Sequence, residues 1–134
     1  MLAAIPLMIV PLIAYNLVLI GLIGGGVAGL GSTVTSLSMM SGATWEMSLG
    51  DVLIVVSLVL LFIEVLKATR TGPWSVIDHM LSMLVFIAFL VEFLLVRDAA
   101  TQVFFILMVI AFVDVIAGFS VSIRSAGRDV SIGL

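Results

Sequence analysis

Long apolar runs alternate with brief polar breaks along this chain, at residues 2–23, 51–68, 75–96 and 101–123. A helix rises about 1.5 Å per residue, so residues 101–123 cover about 33 Å against a hydrocarbon core of about 30 Å. The pattern predicts an all-α fold, a polytopic four-transmembrane-helix bundle forming a single domain. Residues 24–50 become an extracytoplasmic connecting segment and residues 124–134 a short cytoplasmic tail, frayed or lying along the membrane. Pro6 and Pro11 fall inside the first run. Pro11 removes an intrahelical hydrogen bond, which predicts a bend and keeps open a three-span alternative with the first segment peripheral.

The breaks carry their own signals. Ser48-Leu-Gly-Asp51 and Ser75-Val-Ile-Asp78 have the serine-x-x-acid form of a capping box, opening the second and third spans and giving Asp51 and Asp78 a capping role. Residues 69–74 form a tight turn. Gly24, Gly25, Gly26, Gly29 and Gly31 follow no strand and end in no lysine-serine or lysine-threonine pair, so they are a helix exit or a close-packing site, not a phosphate loop. In residues 32–50, Trp45 fits an interfacial anchor, and the segment lies on the membrane surface or folds back over the bundle.

Against this apolar background the polar residues stand out. Asp114 lies well inside the last run, where an ionised carboxylate costs at least a few kcal/mol unless it is neutral, paired or turned away from lipid. Ala111, Ala117 and Gly118 stack near it, a small-residue face that lets another helix approach. Asp114 is therefore expected to face a bundle. Glu64 sits near a helix C-terminus, the unfavourable end for an anion, and Lys67 three residues on is its expected partner. Asp78, Ser82, Val85, Phe89 and Glu92 share one helical face, the expected bundle-facing stripe. Glu92 either pairs with Arg97 or sits at the opposite interface. Asn16 is expected to make an interhelical hydrogen bond, and His79 a hydrogen bond at headgroup depth. A cluster of Glu64, Asp78, His79 and Asp114 is geometrically possible if their faces meet.

Composition settles the class. Of 134 residues, 63% are hydrophobic and 10% charged, whereas a soluble domain has about 45–50% apolar and about 25% charged residues. The formal charge of −3 is dispersed, with no basic block for nucleic acid. The absence of cysteine excludes disulfides and thiolate chemistry, and a single histidine excludes a two-histidine metal or haem site within one chain. No catalytic, metal-binding or cofactor-binding constellation is legible, so no enzyme activity is expected. The first run lacks a basic lead-in and is read as a retained span. Lys67, Arg70, Arg124 and Arg128 fall on one side and Arg97 on the other, which places both termini in the cytoplasm by the positive-inside rule.

Four strings, residues 41–53, 64–72, 77–86 and 114–123, resemble a group of small uncharacterised inner-membrane proteins of alphaproteobacteria. The resemblance implies a bacterial inner membrane and a four-span bundle, and brings no activity, cofactor or site residue with it. The expected role is an accessory or structural subunit or a self-assembling scaffold, with the lipid bilayer, further copies of itself or a larger membrane complex as partners. The alternative is an oligomeric proton- or cation-conducting channel or transporter using Asp114, with Glu64, Lys67, Asp78, His79, Asn16 and Glu92 as further polar candidates. A membrane enzyme and a hole-forming lysis protein rank behind these.

Overall fold

The computed structural model describes the backbone of residues 5–70 and 73–133. Its elements are helix α1 (Ile9–Leu19), strands β1 (Thr33–Ser38) and β2 (Thr44–Ser48), and helices α2 (Leu49–Ala68), α3 (Pro73–Leu95) and α4 (Gln102–Gly133). Leu49–Ala68, Ser75–Leu95 and Gln102–Val121 are each long and apolar enough to cross a membrane.

Local chemistry explains where the long helices begin. The Ser48 hydroxyl accepts from the Asp51 N–H (3.2 Å) and the Asp51 carboxylate accepts from the Ser48 N–H (3.0 Å), the expected capping box at the head of α2. Pro73 opens α3 at its first position, where a missing N–H costs no intrahelical bond. Consequently the second expected box does not form. Ser75 lies two residues inside the helix, and Asp78 turns to Lys67 instead. Thr71 and Gly72 of the intervening turn lie outside the described residues. At α4, the Thr101 hydroxyl accepts from the Phe104 N–H (3.2 Å), the bond of an N-cap.

Two helix boundaries differ from the apolar runs of the sequence. The first apolar run forms a helix only from Ile9 to Leu19, about 16 Å long, so three helices rather than four have spanning length among the described residues. Pro11 is the third residue of α1, where no N–H has an intrahelical partner, so it starts the helix and does not bend it. Beyond Leu19, left-handed backbone at Gly21, Gly24, Gly25 and Gly26 ends the regular structure. The polar C-terminal segment, in contrast, continues α4 to Gly133, because no proline interrupts it. The side chains of Arg128 and Asp129 lie outside the described residues.

The fold is mostly helical as expected, and the connection before α2 adds a small sheet to it. β1 and β2 form an antiparallel hairpin pairing Thr35 with Met47, Leu37 with Trp45, Ser36 with Glu46 and Ser38 with Thr44, with an irregularity at Val34. Strand alternation sends Leu37 and Trp45 to one face and Ser36 and Glu46 to the other. β1 is exposed along its whole length, so the hairpin does not fold back over the helices.

The helices pack around α4, which lies against both α2 and α3, while α1 lies against α2 and α4. Accordingly 44% of the α4 span is buried, against 17% for α2 and 28% for α3. Near the hairpin, Phe104 is the hub. Tyr15 meets it edge-on at 4.8 Å, and Phe89 lies at 5.4 Å. The Tyr15 hydroxyl donates to the Asp98 carbonyl (2.9 Å) and lies 2.7 Å from the Thr101 hydroxyl. Its single proton is used at Asp98, so Thr101 donates to Tyr15. The segment before α2 links both ends of that helix. The Ile5 carbonyl accepts from Lys67 (2.8 Å), and the Ser32 carbonyl accepts from the Leu49 N–H (2.9 Å).

Candidate functional site: a buried polar cluster at the Lys67 end

Phe104 and Asp114 are ten residues apart on α4, about 15 Å, and the interior changes character between them. Around Asp114 the buried side chains are Glu64 of α2, Asp78, His79 and Ser82 of α3, and Asp114 itself, each no more than 5% exposed. Lys67, on α2, joins them from the rim. The expected faces do meet.

Lys67 organises the ionic half. Its ammonium donates to Glu64 Oε1 (2.9 Å), Asp78 Oδ1 (3.3 Å) and the Ile5 carbonyl (2.8 Å), which accounts for its three protons. Glu64 Oε1 also accepts from the Leu7 N–H at 2.8 Å. The expected Glu64–Lys67 pair is thus present, with Asp78 as an added partner from the facing helix. An ion moved out of water loses several kcal/mol of hydration, which only close pairing with further hydrogen bonds offsets. The backbone at Ile5 and Leu7 supplies those bonds.

The other half is unsatisfied. Asp114 Oδ2, His79 Nε2 and Ser82 Oγ are buried without a hydrogen-bond partner. The charges of Glu64, Asp78 and Lys67 all act on the Asp114 carboxyl, and Ser82 lies beside it short of good hydrogen-bond geometry. His79 is buried, its Nε2 lacks the hydrogen bond expected of it, and its ring lies 5.1 Å from that of Phe119. Gly118 makes the room. A Cβ there would stand 3.0 Å from His79 Cε1 and 3.1 Å from Nδ1. The small-residue face beside Asp114 therefore admits an imidazole as well as a helix.

Two sequence candidates lie elsewhere. Asn16 donates to Glu92 Oε2 (3.1 Å) and to the Leu12 carbonyl (2.8 Å), the expected interhelical bond. Glu92 is fourteen residues beyond Asp78, about 21 Å along α3, so this pair is not part of the cluster. Ser57 is buried and donates to the Leu53 carbonyl (2.6 Å), a local role. Sequence reading placed Ser82 on the inward stripe without singling it out. It passed over the Ile5 and Leu7 backbone and the Tyr15–Thr101 pair, because no residue type marks a main-chain contact 57 positions distant.

Chemically, the cluster offers three carboxyl groups, one ammonium, one imidazole and one hydroxyl. Among the described residues, no group of His, Asp and Glu side chains is arranged to hold a metal ion. Glu64 and Asp78 are committed to Lys67, which leaves the Asp114 carboxyl and the His79 imidazole outside that ion-paired set. Compared with known proteins, the chain matches no family model, no curated sequence and no solved structure.

Proposed function

We propose that this chain is a bacterial inner-membrane protein that exchanges protons at Asp114, working as a homo-oligomer or within a larger membrane complex. The observation that carries this reading is the buried carboxyl oxygen of Asp114, unpartnered beside Ser82, with unpartnered His79 seated against Gly118 one helical turn along α4. Interior polar groups that serve only packing are nearly always hydrogen-bonded, and leaving one unmade costs about 1–3 kcal/mol. Ionisable groups retained at membrane depth mark ion and proton pathways by default. In this reading Asp114 alternates between acid and carboxylate, and Lys67 with Glu64 and Asp78 holds a fixed charge. Residues 5–32 would complete a fourth, partly helical crossing, with the termini and the Lys67 end in the cytoplasm. One copy is narrow for a continuous pathway, which is why an assembly is invoked.

The test is proton flux in proteoliposomes loaded with a pH-sensitive dye. Wild type should acidify the lumen under an imposed potential, and Asp114→Asn should slow this at least about a hundredfold, the low end of what proton-transfer groups contribute. Flux that is absent, or unchanged in the variant, overturns the reading. An accessory or scaffold role is then preferred, and one observation favours it independently: the hairpin face bearing Leu37 and Trp45 is exposed and suited to a partner.

A further inference from the structure

Between α1 and α3 lies an apolar cleft of about 440 Å³, within the usual range for small-molecule sites. Ile5, Ile9 and Leu12 form one wall, Leu81, Leu84 and Ala88 the other, and buried Val85 the floor. Its mouth is open, since Ile5, Leu84 and Ala88 are exposed. We propose that this cleft holds one acyl chain of an anionic phospholipid. The inference goes beyond the proton-exchange reading and stands without it.

Three features select that occupant. The α3 wall lies in the middle of a helix of spanning length, where the surrounding solvent is hydrocarbon and an apolar slot takes no water. Second, size excludes a partner helix. The α3 wall covers about two turns, roughly 10 Å, whereas a spanning helix is about 10–12 Å wide with its side chains and about 30 Å long. A flexible chain fits where a rigid cylinder does not. Third, the charge is complementary. The Ile5 end of the cleft is the end of α2 at which Lys67 bonds the Ile5 carbonyl, and exposed Arg70 follows three residues later. Lys67 is committed to Glu64 and Asp78, so exposed Arg70 is the cation left for a phosphate, and an apolar slot ending near it matches an acyl chain that carries one. The α1 wall is also held in advance, since Lys67 and Glu64 clamp the backbone at Ile5 and Leu7.

Native mass spectrometry tests this on protein released from nanodiscs of equal parts phosphatidylglycerol and phosphatidylcholine. Wild type is expected to retain one phosphatidylglycerol per chain. Ala88→Phe fills the cleft from an exposed position and should lower the retained fraction about tenfold, a modest change on the affinity scale. Leu66→Phe, exposed on α2 outside the cleft, should leave retention unchanged. Circular dichroism checks folding, and Leu84→Trp replaces Ala88→Phe if the latter misfolds. Equal retention by wild type and the cleft-filling variant overturns the site. Equal retention of the two lipids overturns its anionic selectivity, and a polypeptide held in place of lipid overturns the choice of occupant.

Discussion

Lys67 and Gly118 show how much one residue can decide in a low-dielectric interior. Lys67 pairs with two carboxylates from different helices and anchors the chain before α1. Removing one partner of a buried pair typically costs about 3–5 kcal/mol, because it strands the charge that remains. Gly118 acts by what it lacks, since the His79 ring occupies the space a side chain would take. Gly118→Ala should displace that ring. The chain has a single histidine, so its imidazole NMR signal is unambiguous and should move in the variant. A signal identical to wild type would show that the ring does not rest on Gly118.

At the scale of elements, the helix starts carry distinct and separable energies. Ser48 caps α2 with a reciprocal pair of bonds, and Ser48→Ala should destabilise by about 1 kcal/mol. Pro11 lies where the helix needs no N–H, so Pro11→Ala should change stability by no more than about 1 kcal/mol, far from the roughly 3 kcal/mol of a mid-helix proline. Thermal unfolding in mild detergent ranks the two. Large stabilisation by Pro11→Ala would mean that the proline interrupts a longer helix, as its place in the first apolar run predicts. The hairpin, by contrast, was hidden by weak hydrophobicity. Its signal was the alternation through Thr35, Leu37, Trp45 and Met47, with Gly42 in the left-handed turn.

For the molecule as a whole, the two ends differ in chemistry. One presents the hairpin, Asp98 and an aromatic core, and the other the ion-paired cluster and the ends of α2 and α4. In the proposed orientation these ends face opposite sides of a membrane. The natural absence of cysteine makes this directly measurable with single replacements. Ser41→Cys in the hairpin turn should react with a membrane-impermeant maleimide on intact spheroplasts. Thr69→Cys, just beyond α2, should react only in inverted vesicles. Labelling of both from the same side would contradict the crossing by α2.

Much of this protein was legible in its sequence because membrane-length apolarity and local capping need no tertiary knowledge. The three long helices, the Ser48–Asp51 box, the Glu64–Lys67 pair and the inward stripe of α3 all follow from spacing along one segment. Spacing also turned Asp114 toward its small neighbours. The sequence could not say which groups from separate helices would meet, because a period specifies a face and not what that face touches. Packing around α4 decided that Asp78 serves Lys67 instead of a cap, that Asn16 answers Glu92, and that His79 is buried against Gly118. It also decided that Asp114 is enclosed with no partner for its Oδ2, a property that exists only once three helices have closed around it.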